Sequence, residues 1–343
     1  MRQFKFCVQA AAAIFATLIL PNLCQSHNGP HSSVHDTVAG ILNRFKATLS
    51  TDEVVTIDLA KARSLLTKNE KHILSHEHIT FHVNIPVKVF IIRDASMGDK
   101  PFWLKERDFK TLGLKFKIQN RNVDFWVKDF KAGRISLGIN SLSGNDHHYG
   151  VALMPLKSNP NLEVTKMYPG QLRTAPMKEG VKPFVDKNEK LPALPTVLSG
   201  LTIVQTVYKN RNDAKLIGIY RKTSYPSGPK PDQIVLTWAN DPKTSQTIQW
   251  RTDKTINKSQ LQWIKKNDFN RFQPGTPKII NAVTVEMLNT NYVNDPKIHR
   301  HTVNLTGLEP NTSYIYSVGL KSANSWSELS EFQTAPNKTE PFS

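Results

Sequence analysis

Four histidines, His72, His76, His78 and His82, fall within one short segment of a 343-residue chain. Imidazole nitrogens are common ligands for zinc and copper, which makes His76, His78 and His82 the metal candidates of this sequence. If the segment is a strand, His78 and His82 share a face with Thr80, opposite the apolar Ile79 and Phe81. The plainer reading is an exposed polar strand face, because Glu77, the carboxylate of nearest spacing, points away from them. Two further histidine motifs are Gly144-Asn-Asp-His-His148 and His299-Arg-His301. The aromatic group Phe102, Trp103, Phe125 and Trp126 offers a sugar-stacking surface or, more simply, core packing. No residue is assigned a catalytic or cofactor-binding role.

Thiol chemistry is excluded by the cysteines. The only two, Cys7 and Cys24, lie in an N-terminal segment that reads as a signal peptide over residues 1–26. Arg2 and Lys5 supply its positive start, Cys7 to Leu20 is apolar apart from Gln9 and Thr17, and Cys24-Gln-Ser26 places small residues where a peptidase cuts. That run is shorter than the ~20 residues a membrane span needs, and bulky Leu23 disfavours lipoprotein processing at Cys24. The expectation is a secreted or periplasmic protein, cleaved near Ser26, whose domains hold together without disulfides.

Composition agrees with a globular protein, at 39% hydrophobic and 21% charged residues. A length of 343 residues suits two or three domains. The excess of 45 Lys and Arg over 28 Asp and Glu gives a net charge of +17, attractive to anionic polymers, acidic glycans or lipid headgroups. These charges are scattered without a dense basic run, so a solvated surface accounts for most of them and no specific nucleic-acid binding is expected.

The elements that must position these residues are mainly β. Residues 27–52 read as a polar leader with a short helix. A β-rich domain of unknown family follows over 53–223. Val54 to Ile57 suggests a strand, and Asp58 an N-cap for a helix bearing Leu59, Ala62, Leu65 and Leu66. Period-two runs follow at Ile79 to Ile85, Leu114 to Ile118, Val123 to Val127, Ile135 to Ile139, and Val151 with Leu153. Pro160 to Pro195 reads as a long connection, and Leu201 to Tyr208 with Leu216 to Tyr220 as a hairpin. Ser224-Tyr-Pro-Ser-Gly-Pro-Lys-Pro231 permits neither helix nor central strand and marks a boundary.

The last unit, residues 229–336 before a polar tail at 337–343, is a β-sandwich by its pattern. Val303 and Leu305 alternate with polar residues, Leu308-Glu-Pro310 breaks the run, and Tyr314, Tyr316 and Val318 resume it. A buried Tyr at such a corner returns its hydroxyl to the backbone of the preceding connection. Trp238, Trp250, Trp263 and Trp326 are available to fill the two-sheet core.

This unit resembles a fibronectin type III domain through Leu236-Thr-Trp238 and Leu308-x-Pro310-x-Thr312-x-Tyr314-x-Tyr316-x-Val318-Gly319. With Trp326-Ser327 and Phe332-x-Thr334-x-Pro336 it is similar, more narrowly, to the N-terminal domain of purple acid phosphatases, secreted metallophosphoesterases. The resemblance implies hydrolysis of phosphate monoesters at a dinuclear centre of iron with zinc, manganese or iron, in a domain downstream of Pro336. Ligands for that centre come from Asp-x-His, Gly-Asp, Gly-Asn-His and Gly-His-x-His motifs. Here Gly98-Asp99 precedes both histidine motifs and His299-Arg-His301 lacks the Gly, so order and spacing fail. The expectation is a mainly β, non-catalytic front portion whose partner is a metallophosphatase domain. The alternative is a stand-alone extracellular binding module for a protein or glycan.

Overall fold

The computed structural model describes residues 33–338 apart from 114–115, 119–120, 145–146, 158–160, 193, 195, 273–274 and 321–324. The signal-peptide segment and the end of the polar tail lie outside the described residues. Among the described residues, no helix is long and apolar enough to cross a membrane.

Helices come first because polar caps start them. Ser33, Ser50, Asp58 and Thr67 cap α1 (Val34–Thr48), α2 (Thr51–Thr56), α3 (Leu59–Ser64) and α4 (Lys68–His76). Each cap side chain accepts a backbone N–H from the first turn, satisfying a donor the helix cannot. The strand expected over Val54 to Ile57 is therefore corrected to a helix: the reciprocal Ser50 and Glu53 capping box outweighs the β-branched pair Val54 and Val55. The leader is also more than a loose segment, since Val34, Val38, Ile41 and Phe45 of α1 are buried in the first core.

A seven-stranded sheet dominates the first unit, in the order β3 (Lys110–Thr111), β5 (Arg121–Phe130), β2 (Val87–Asp94), β7 (Gly150–Pro155), β10 (Thr202–Gln205) and β9 (Arg173–Pro176). β4 (Phe116–Ile118) pairs with β5. A three-stranded sheet places β1 (Ile79–Val83) between β6 (Gly133–Leu137) and β8 (Val164–Tyr168). β2 splits its side chains between two cores. Val87, Val89 and Ile91 meet the helices and the three-stranded sheet, while Phe90 and Ile92 face Met177, Leu191 and Leu198 on the other side. The short helix α5 (Trp103–Glu106) inserts Trp103 into the larger core, where its Nε1 donates to the Ile139 carbonyl at 2.8 Å.

Three expectations change here. The supposed connection over 160–195 contains β8 and β9, which are short, partly exposed edge strands without a full apolar alternation. The hairpin from Leu201 to Tyr220 does not form: β10 pairs with β7 and β9, and residues 208–212 turn into a 3₁₀ helix. Phe102, Trp103, Phe125 and Trp126 are all buried, so they pack the cores and present no sugar platform.

The second unit is a sandwich of two four-stranded antiparallel sheets. One runs β11 (Asp232–Thr237), β12 (Ser245–Asp253), β16 (Lys297–Thr306), β15 (Val283–Leu288). The other runs β14 (Lys278–Asn281), β13 (Gln260–Lys265), β17 (Ser313–Gly319), β18 (Ser330–Gln333). Ile248, Trp250, Leu261, Val303, Leu305, Tyr314, Tyr316, Val318 and Phe332 fill the space between them. The corner forms as expected: the Glu309 N–H donates to the Tyr314 hydroxyl at 2.9 Å. Gly319 ends β17 where the chain crosses the Ser325–Trp326 backbone; a Cβ there would lie 2.7 Å from the Trp326 Cα.

One tryptophan assignment is overturned. Trp238 is 63% exposed, because it follows the edge strand β11, whereas Trp250 on the inner strand β12 is 1% exposed. Trp250 donates its Nε1–H to Ser259 Oγ at 3.0 Å, and Ser259 donates onward to the Gly319 carbonyl at 3.0 Å. Trp263 and Trp326 are half-buried.

The Pro-rich boundary is tied down at both ends. Arg221 exchanges backbone hydrogen bonds with Asn291 and Val293, and Thr223 pairs with the Asn294 side chain. Arg251 holds Asp232 at 2.6 Å and donates to the Tyr225 carbonyl at 3.0 Å.

These placements rank three substitutions. Trp250→Ala is expected to cost about 3–5 kcal/mol as a large core deletion. Tyr314→Phe costs about 1 kcal/mol for the lost corner hydrogen bond, and Trp238→Ala about 0.5 kcal/mol or less, as a surface change. Urea denaturation followed by circular dichroism measures all three; equal losses at Trp238 and Trp250 would contradict the arrangement.

Candidate functional site

The two histidine-bearing segments of the first unit meet in its interior. His78 stands between α4 and β1, with its N–H bound to the Leu137 carbonyl, and His148 precedes β7. Their Nε2 atoms are 3.0 Å apart, and both residues are almost wholly buried. The proton positions follow from the partners. His148 Nδ1 lies 2.8 Å from the Tyr149 carbonyl oxygen, which only accepts, so Nδ1 carries the proton and Nε2 is bare. His78 must then donate its Nε2–H to His148. Two neutral imidazoles are satisfied in this way without any ion.

Burial holds both rings neutral. It drives the His78 pKa down to about 3, with help from neighbouring His148, and that of His148 down to about 4 despite the opposing Tyr149 carbonyl. The expected exposed polar strand face is thus corrected: β1 is the middle strand of its sheet, its residues Ile79 to Phe81 are buried, and His78 points into the core.

The other metal candidates go elsewhere. His76 ends α4, where its ring stacks on His72 at 4.4 Å and its Nδ1 bonds to the His72 carbonyl. His82 lies on β1 opposite Arg134 and Thr165. In the second unit His301 stacks on Trp250 and is bound by Thr252 Oγ1 at 2.8 Å and Thr284 Oγ1 at 2.9 Å. Its neighbour His299 donates Nδ1–H to the Ile256 carbonyl at 2.8 Å. Among the described residues, no three His, Cys, Asp or Glu side chains converge as a metal site requires. His76, His78, His148, His299 and His301, committed to carbonyls, hydroxyls and each other, do not fit the dinuclear centre that the family resemblance implies.

Beside His148 the seven-stranded sheet opens into a cleft with charged edges. Asp94 ends β2, Arg121 starts β5, His147 precedes His148, and Glu189 comes from the strap over residues 177–201. His147 Nδ1 bonds to the Tyr208 hydroxyl at 2.7 Å, and Lys187 and Arg211 stand 4.1 and 4.5 Å from the Tyr208 ring. Ser96 hydrogen bonds hold the Asp94 pKa low against its partial burial. Glu189 is held low chiefly by its bond to Lys187. Sequence reasoning singled out the His147 and His148 motif but not Asp94, Arg121 or Glu189, which come from three separate segments and carry no local signature.

The second unit is a β-sandwich of fibronectin type III type. Residues 231–334 match the family "Purple acid Phosphatase, N-terminal domain". No curated protein matches the chain. Among solved structures, a purple acid phosphatase (PPD1) from yellow lupin seeds is 13% identical with a TM-score of 0.26, covering 77% of this chain and 37% of that one. The FN1–FN3 domains of chicken CNTN1 are 10% identical with a TM-score of 0.22, over 79% of this chain and 60% of that. The FN5 domain of Drosophila Lar is 18% identical with a TM-score of 0.21, over 32% of this chain and 99% of that.

The imidazole pair makes folding sensitive to acid. Both folded pKa values lie below the ~6.5 of an unfolded histidine, so the unfolded state binds protons first as pH falls. Stability is complete above about pH 6.5 and declines towards the folded values, by about 1.4 kcal/mol per pH unit for each ring. Urea midpoints are expected to fall steadily between pH 7 and pH 5. The slope should be shallower in a His78→Asn, His148→Asn double variant; an equal slope would refute the role of the pair.

Proposed function

We propose that this chain is the non-catalytic N-terminal portion of a secreted purple acid phosphatase-like metallophosphoesterase, whose whole hydrolyses phosphate monoesters at a dinuclear metal centre. The observation that carries this reading is the family match over residues 231–334, which spans both sheets of the sandwich from β11 to β18. In this reading the metal ions belong to the phosphatase domain, and this chain supplies structure and a seat for it.

The surface of the sandwich supports that role. Val235 and Trp238 at β11, and Val283, Val285, Met287 and Leu288 on β15, are exposed large apolar side chains at the two edges of one sheet. Apolar surface of this extent on a soluble domain marks contact with another domain or protein. The same edges, with the net charge of +17, favour the second reading, a stand-alone extracellular module that binds a protein or glycan.

A phosphomonoester assay on the purified chain, with iron, zinc or manganese added, is expected to give no turnover above buffer. Metal-dependent turnover would overturn the non-catalytic reading. A separately produced metallophosphatase domain of the same family should bind the chain and lose affinity on Val285→Glu. If it fails to bind while a glycan or another extracellular protein does, the second reading replaces the first.

A further inference from the structure

The cleft beside His148 combines a small apolar recess with charges of both signs at its mouth. Its floor is made by Val123, Ile92 and Ile203 from strands β5, β2 and β10 of the seven-stranded sheet and by Met177 and Leu191 from the strap that crosses it. The strap is anchored rather than loose. Met177 N–H donates to the Leu201 carbonyl at 2.7 Å, Gly180 and Leu191 N–H groups bond to the Leu191 and Val181 carbonyls, and Val185 pairs with Thr206. The recess is therefore preformed, which spares a ligand the entropy of ordering it.

Its free volume is about 90 Å³. An apolar cavity of about 150 Å³ accommodates benzene, so this one suits a branched aliphatic group and is small for an aromatic ring.

Each charge at the mouth keeps unused bonding capacity. Asp94 Oδ1 accepts from the Ser96 N–H at 2.9 Å and Oγ–H at 2.6 Å, while no hydrogen bond among the described residues engages Oδ2. Glu189 Oε2 pairs with Lys187 Nζ at 2.7 Å and leaves Oε1 in the same condition. Arg121 has no ion pair within 4 Å among the described residues, although it faces the same cleft. Two carboxylates offer acceptors to an ammonium group, and a guanidinium offers a fork to a carboxylate. His147 adds a ring whose pKa is lowered, by burial first and then by Arg121.

We propose that this cleft binds a small free amino acid with a branched aliphatic side chain. The side chain enters the recess over Ile92, Val123 and Leu191, the α-carboxylate pairs with Arg121, and the α-ammonium lies between Asp94 and Glu189. Mixed charge at the mouth selects the zwitterion: a fatty acid brings no ammonium to Asp94 Oδ2 and Glu189 Oε1, and a simple amine brings no carboxylate to Arg121.

Isothermal titration calorimetry of the full chain with L-leucine and L-valine tests this at neutral pH. Binding is expected for both, weaker by roughly tenfold or more for N-acetyl-leucine and leucinamide, each of which lacks one charge. L-phenylalanine is expected to bind more weakly than leucine. Arg121→Gln should lower leucine affinity while leaving leucinamide unchanged, and Asp94→Asn, which retains the Oδ1 acceptor for Ser96, should lower leucine affinity while leaving N-acetyl-leucine unchanged. Circular dichroism confirms that both variants fold, and the analogue series on the unaltered protein tests the idea without them. Absence of leucine binding at millimolar concentration, or equal binding of leucine and its N-acetyl derivative, would overturn the proposal.

Discussion

The first unit depends on one strand being apolar on both faces. Val87 to Ile92 of β2 are buried almost without exception, so the sheet on either side of it must be covered. Helices α1 to α4 and the three-stranded sheet cover one face, and the strap over 177–201 covers the other. Burial of each such side chain stabilises by about 1.5–3 kcal/mol before entropy is counted, and with both cysteines at positions 7 and 24 no disulfide reinforces the described units. The cleft beside His148 exists because the strap spans the second face without filling it. At the end of β2 the fully buried guanidinium of Arg93 is neutralised by Asp124 at 3.0 Å, which allows the strand to finish inside the unit without stranding a charge.

Much of the second unit was legible in the sequence, because its signals are local. The alternation at Val303 and Leu305, the break at Leu308-Glu-Pro310 and the resumption at Tyr314 lie within one stretch, and the corner closes through a contact five residues apart. Trp238 was misread for a reason equally local. Its position after Leu236 resembles an inner strand, yet that strand pairs on one side only, and the inner position falls to Trp250 twelve residues later.

The first unit was less legible, since its defining features are not alternating or not adjacent. A strand buried on both faces loses the period of two that identifies strands, so Val87 to Asp94 escaped notice. Polar capping overrode β propensity in α2. The histidine segment was noticed, but its partner, His148, is seventy residues away, and only the fold shows that the ring of His78 faces it. Asp94, Arg121 and Glu189 are ordinary charged residues in sequence and become a group only where β2, β5 and the strap converge.

The two units differ in how they end at solvent, and that difference bears on function. Ionic cover is sparse on the edge strand β15: Glu286 pairs with Lys297 at 2.8 Å, while Val283, Val285, Met287 and Leu288 stay exposed around them. Natural edge strands are commonly guarded by lysine, proline or a bulge because unpaired backbone groups beside apolar side chains invite further strands. β15 has a single charged residue, Glu286, which faces Lys297 at 2.8 Å and His299 at 3.8 Å, and no proline. An edge so lightly guarded is stable in solution when something covers it, and the loop that follows it is already engaged: Asn291, Val293 and Asn294 bind residues 221–223 of the first unit. If the proposed phosphatase domain covers β15, it does so without the loop over 291–294, whose Asn291, Val293 and Asn294 are already bound to residues 221–223.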